Sequence, residues 1–290
     1  MKINAFCLSC LVGMQESQIR QFTDEEKKVE FMREILGYLS DCDESLSAPA
    51  LVRPLSLIYE KYWGKADSLE EIKREFNDFL LGMEESLDKE IRAHRDPLAA
   101  ALCYARAGNY IDYASVRDLS KEKLVHLLEK ETDSLDKEEY SLFCEEIAGA
   151  ERLVYLTDNC GEIVLDKLVI RLLQEMYPKL HIQVIVRGAP VVNDADMDTA
   201  RYIGLTDVAS VMDNGSAIAG TDLADISPEA LREIQAADII ISKGQGNFET
   251  LHGCGLNIYY LFLCKCDWFV QKFHARRLQG MFVNERRIES

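Results

Sequence analysis

Three short polar strings in the second half of the chain carry the residue types that handle phosphate and divalent metal. They are TDNCGE at Thr157 to Glu162, RGAPVVNDAD at Arg187 to Asp196, and SKGQGNFE at Ser242 to Glu249. Each follows an aliphatic or aromatic run: LVYL, IQVIV and DIIIS. Asp158 and Asn159 set a carboxylate beside a carboxamide, two hard oxygen donors, and the second string adds Asp194, with Asp196 and Asp198 as further candidates. Few-carboxylate oxygen sites that keep water suit magnesium or manganese, and one sequence does not separate these from cobalt or nickel. Such an ion polarises a phosphoryl oxygen and activates a water. Lys243 offers charge for a phosphate, while Gly244 and Gly246 let backbone amides, out to Asn247, approach an anion. Arg187 is a candidate substrate contact. Glu162 either holds a water at the metal or favours a helix N-terminus electrostatically. Singly, each string also reads as an ordinary turn after a strand; together they describe a phosphoryl-transfer site.

Convergence of these strings requires the strands before them to lie parallel in one sheet, because ligands of open parallel sheets bind outside the strands' carboxyl ends. From Arg152 onward the runs LVYL, IQVIVR, ASVM, DIIIS and IYYLFL alternate with helix-like segments, which predicts such a sheet. Ser227 followed by Pro228 predicts a helix start. Before about Ala150 the pattern is helical. Thr23 with Glu26 and Ser68 with Glu71 match capping boxes, and Ile72, Phe76, Phe79, Leu80, Met83 and Leu87 form one apolar stripe. Further helices are expected over Ala48 to Tyr62, Pro97 to Ala107 and Lys121 to Ile147. The expected fold is α/β: an N-terminal helical bundle region, residues 1–150, packed on a Rossmann-like, mostly parallel sheet domain, residues 151–290.

In order and spacing, CLSC at Cys7 to Cys10, HRDPL and AGNYID within His94 to Asp112, DNCGEIVLD, RGAPVVNDAD, SKGQGNFE and the late LCKC resemble the damage-control phosphatases, also called domain of unknown function 89. The resemblance covers nearly the whole chain. It implies a helical region on a Rossmann-like domain and metal-dependent hydrolysis of phosphate monoesters such as sugar phosphates and damaged or surplus phosphometabolites. The family's metal-binding positions fall on Asp158, Asn159 and Asp194, and its phosphate-binding lysine on Lys243. Asn109 and Asp112 lie in GNYID, which the resemblance places against the substrate; as plain residues they read as a helix end with Gly108 as terminator.

The remaining composition narrows the alternatives. The 290 residues carry 33 basic and 50 acidic side chains, a net charge of -17. That balance disfavours nucleic acid and anionic membrane, and Arg276 with Arg277 is too small a patch to reverse it. The apolar run from Ile258 to Cys264 is too short to span a bilayer. Nine scattered cysteines, without a basic, apolar leader, fit a reducing cytoplasm. Cys7 and Cys10, with Cys264 and Cys266, either form a structural zinc site or pack as small apolar groups. Among the histidines only His252 falls near a site string, where it reads as a loop residue. A haloacid-dehalogenase-type nucleophile is disfavoured because neither frame of DADMDTA fits its motif. A methyltransferase using S-adenosylmethionine and a non-catalytic phosphometabolite sensor stay as rivals. The attacking group is a metal-activated water or, in competition, Asp158 through an acyl phosphate. Oligomeric state is open.

Overall fold

A computed structural model describes residues 1–65, 68–110 and 135–288. The chain begins with helices α1 (Ala5–Ile19), α2 (Glu25–Asp41), α3 (Ala48–Trp63), α4 (Glu70–Leu81), α5 (Glu84–Ala93) and α6 (Pro97–Gly108). After helix α7 (Lys137–Gly149) come β1 (Arg152–Leu156), α8 (Glu162–Met176), β2 (His181–Val186), α9 (Met197–Tyr202) and β3 (Ser210–Asp213). Helix α10 (Pro228–Gln235), β4 (Ile239–Lys243), α11 (Gly244–Leu251), β5 (Ile258–Leu263), α12 (Asp267–Lys272) and β6 (Gly280–Asn284) complete the order. Much of the helix expected over Lys121 to Ile147, and Asp112, lie outside the described residues.

The five expected strands and a sixth, β6, form one sheet in the order β3-β2-β1-β4-β5-β6. All neighbours are parallel except β5 and β6. Strand β6, in GMFVN, was not expected; it pairs antiparallel along the edge, from Tyr259 opposite Asn284 to Leu263 opposite Gly280. The order reverses between β1 and β4, so their carboxyl ends open a crevice where successive connections diverge to opposite sides.

Alternate residues of each strand face opposite layers. Leu153, Tyr155, Val184, Ile239, Ile241 and Tyr259 share one core with α6 and α8. Val154, Leu156, Ile240, Tyr260 and Phe262 pack on the other side with Phe248 and Phe269. The helical half divides physically. Phe76, Leu80, Leu87, Ile91 and Leu98 of α4 to α6 belong to the sheet's own core, whereas α1 to α3 bury a separate cluster around Leu11, Phe31, Ile35, Leu51 and Leu55.

Several helix starts shift by one residue from expectation. Asp24, not Thr23, caps α2, accepting from Lys27 N at 3.0 Å. Helix α4 starts at Glu70 after Leu69; the Ser68 hydroxyl accepts only from Glu70 N, at 3.3 Å. The single apolar stripe is divided by Gly82 and Met83 into α4 and α5. Ser227 caps α10 as expected, accepting from Ala230 N at 3.2 Å.

Asp96 caps α6 through Ala99 N at 3.0 Å and also accepts from the Tyr140 hydroxyl at 2.8 Å, tying α7 to the helix whose C-cap is Asn109. Asp96→Ala is therefore expected to lower unfolding free energy by about 1 kcal/mol, as cap removals do. Urea denaturation followed by circular dichroism measures it.

Candidate active site

The crevice between β1 and β4 is where the polar strings meet. After Leu156 the chain runs through Thr157, Asp158 and Asn159 into α8, and the Gly161 amide donates to Asn77 Oδ1 of α4 at 2.7 Å. The Arg187 to Asp196 loop folds back onto this turn. Ala195 N donates to Asp158 O at 2.7 Å, Cys160 N to Asn193 O at 2.9 Å, and Asn159 pairs with Asp194 as an isolated bridge. The backbone thus brings Asp158, Asn159 and Asp194 together, all buried.

Arg187 is buried beneath the two aspartates. Its Nε lies 2.5 Å from Asp194 Oδ2, its Nη2 3.4 Å from Asp158 Oδ1, and its Nη1 2.9 Å from Asn247 Oδ1. Burial pushes the Asp158 carboxyl up to about 8; the charges of Asp194 and Glu162 add to this, and Arg187 and Lys265 oppose it. Buried carboxylates are in excess here, an environment that favours a cation.

Two carboxamides join the carboxylates. Asn159 Nδ2 donates to Asp158 Oδ2 at 2.8 Å and to Glu162 Oε2 at 2.9 Å. Asn109 Nδ2, at the end of α6, makes the same pair of contacts at 2.7 and 3.0 Å. Asn159 Oδ1 accepts from Asn193 at 2.9 Å, which leaves it one further acceptor position. Asn109 Oδ1 is buried and has no partner among the described residues. Gly108 is the last residue of α6 and fits because a Cβ there would stand 2.8 Å from Leu165 Cδ1 of α8.

Lys243 departs from the expected direct phosphate contact. It shares a strand face with Ile239 and Ile241, which period-2 alternation directs toward α6 and α8. Its fully buried ammonium sits 2.6 Å from Glu162 Oε1, 2.6 Å from Asp166 Oδ1 and 2.9 Å from Ala105 O. Those three acceptors match the three ammonium donors. Burial works against this charge, but Asp166 and Glu162 outweigh it and raise the lysine's pKa. Asp166 itself is pushed up to about 6 by burial, against the pull of Lys243. The lysine thereby fixes Glu162, which in turn receives both carboxamides.

Gly244 has φ of 78°, and a Cβ there would fall 1.9 Å from Asp158 Oδ2. A Cβ on Gly246 would fall 2.2 Å from Ala219 O. The first turn of α11 therefore lies directly against the Asp158 carboxylate, with the helix N-terminus favouring negative charge. Asn247 turns both ends of its amide inward, to Thr157 O at 3.0 Å, Lys243 O at 2.7 Å, Arg187 and Thr221. Its side chain holds the loop.

Other candidates lie elsewhere. Asp196 caps α9 through Thr199 N at 2.9 Å and stands 3.5 Å from Lys73, while Asp198 pairs with Arg201 on the surface. His252 contacts Glu285 at 3.0 Å and stacks on Phe248. Met1 N donates to the carbonyls of Glu249 and His252, so the N-terminal segment lies against the second half of the chain, and burial raises the Cys7 and Cys10 thiols, with the charge of Cys266 adding to it. Cys264, however, is packed in the core, and no group of three or more His, Cys, Asp or Glu suited to a metal occurs among the described residues. The expected site trio counts a carboxamide as its third member. Lys265 was missed: LCKC drew notice for its cysteines, yet Lys265 follows β5 at the same end of the sheet, and its charge acts on Asp158.

Fold and site together define an α/β protein with an acid-amide centre at a topological switch point. The chain belongs to the family of the damage-control phosphatase ARMT1-like domain, whose model matches residues 3–279. It is 29% identical over 273 residues to a damage-control phosphatase of Pyrococcus horikoshii, covering 92% of each chain. It is 27% identical over 281 residues to a damage-control phosphatase of Archaeoglobus fulgidus, covering 92% of this chain and 93% of that one. A crystal structure of a DUF89 family protein from Pyrococcus horikoshii superposes with a TM-score of 0.80 at 26% identity, covering 98% of this chain and 99% of that one.

Proposed function

We propose that this protein hydrolyses small phosphate monoesters, sugar phosphates or damaged phosphometabolites, with a divalent ion held by Asp158, Asn159 and Asp194. The observation that carries the reading is the buried excess of carboxylate around Asp158, beside the orphaned Asn109 oxygen and at the N-terminus of α11. The relatives named as damage-control phosphatases support the substrate class. A divalent ion bound there supplies Lewis acidity to the phosphoryl oxygen and lowers the pKa of water. Magnesium, manganese, cobalt and nickel all suit this oxygen-rich donor set.

The protein's own groups do the rest. Arg187 orients Asp158 and Asp194 from below. Lys243 and Asp166 fix Glu162, and Glu162 fixes the amides of Asn109 and Asn159. Lys265 and the first amides of α11 receive the phosphoryl oxygens. Water is the attacking group, because Asp158 Oδ2 already accepts from two amides, which weakens it as a nucleophile. No helix among the described residues is long and apolar enough to cross a membrane. All nine cysteines are free, in keeping with a reducing compartment such as the cytoplasm.

The test is phosphate release from a panel of sugar phosphates by chelator-stripped protein, with each metal added back singly. Turnover restored by metal is the expected result. Saturable ligand binding without phosphate release under every metal would instead mark a sensor.

A further inference from the structure

The loop after β4 and the loop after β5 are joined by one side chain. Gln245 Oε1 accepts from the Lys265 backbone amide at 2.7 Å, and Gln245 Nε2 reaches Cys266 Sγ at 3.7 Å. The backbone carrying Gln245 has little freedom. Gly244 on one side abuts the Asp158 carboxylate, and Gly246 on the other abuts the Ala219 carbonyl. The far loop is anchored independently, by Cys264 N to Gln279 O at 3.0 Å and Leu278 N to Cys264 O at 2.8 Å. Directly after the anchored Cys264, the Lys265 backbone is placed relative to the first turn of α11 by its link to Gln245.

We infer that Gln245 is a positioning residue that holds Lys265 at the anion side of the site; this rests on the reading of Lys265 as a phosphate contact. A glutamine suits the task because its amide end offers an acceptor for the Lys265 amide and a donor for the Cys266 sulfur. Long flexible cations such as lysine bind phosphate as point charges, so their contribution depends on where the backbone puts them. A misplaced Lys265 weakens ground-state and transition-state contacts to the phosphoryl group alike, which appears in KM more than in kcat.

The experiment compares Gln245→Met, Lys265→Met and the double variant in the metal-loaded protein. It measures KM, kcat and inhibition by inorganic phosphate, with Tm as a check on folding. Gln245→Met is expected to raise KM and the phosphate inhibition constant about five- to tenfold, the scale of one hydrogen bond, with kcat nearly kept. In the Lys265→Met background the same substitution should add almost nothing, because both act through one contact. Full additivity, or unchanged phosphate inhibition in Gln245→Met while Lys265→Met is impaired, overturns the positioning role alone. Unchanged inhibition in Lys265→Met overturns the phosphate contact itself, and the role of Gln245 falls with it.

Discussion

Asp158→Asn should reduce phosphate release by roughly 10^3-fold or more and remove the rise in Tm that added metal produces in the native protein. The substitution is nearly isosteric, and its oxygen can still accept from Asn109 and Asn159, which now donate to Asp158 Oδ2 at 2.7 and 2.8 Å. What disappears is one of the two carboxylate charges that draw a cation to the end of β1. Loss of even a single preorganised donor in other active sites costs about 10^2 to 10^3 in rate, and loss of a metal ligand acts on every step that needs the ion. A ligand at 100 times its Kd stabilises the folded state by about 2.7 kcal/mol, which the native protein should show as a Tm rise with manganese and the variant should not. Circular dichroism and thermal melts with and without metal separate this outcome from misfolding. Retained turnover in the variant would remove Asp158 from the metal set.

Lys243→Met should cost about 3 to 5 kcal/mol of unfolding free energy, the largest stability loss expected for a single site here. The ammonium is wholly buried between Glu162 and Asp166, which lie 2.6 Å away and are themselves fully buried. Methionine fills much of the same volume but leaves two carboxyl groups without their cation. Neutralising them together with the lysine, as Lys243→Met with Glu162→Gln and Asp166→Asn, should recover part of the loss, since a buried ionic group is worst when only one partner is removed. Urea midpoints for the single and triple variants measure this. A loss below about 1 kcal/mol for the single variant would show that the carboxyl groups take up protons at little cost.

Strands β1, β4 and β5 were legible because each carries an unbroken apolar run, the pattern of strands buried on both faces, whereas β2, which contains Gln183, and the partly exposed β3 were legible from their alternation with helix-like segments. Strand β6 was not, since GMFVN opens with glycine and pairs only along an antiparallel edge. The cap of α2 was displaced by one residue because Asp24 competes with Thr23 for the role, whereas α4 starts after Leu69, which offers no side-chain cap. The site's order along the chain was legible, for residues after parallel strands must meet at one end of the sheet. The face that Lys243 occupies was not read from the sequence, although its alternation with Ile239 and Ile241 held the signal. Asn77, Asp166 and Gln245 had no visible role, because their partners are 84, 77 and 20 residues distant and only tertiary structure joins them.

Anomalous scattering from crystals soaked in manganese locates the ion. One strong peak bounded by Asp158, Asn159 and Asp194 is expected in native crystals and not in those of Asp158→Asn. A peak elsewhere, or none in protein whose phosphate release depends on manganese, would contradict this metal site.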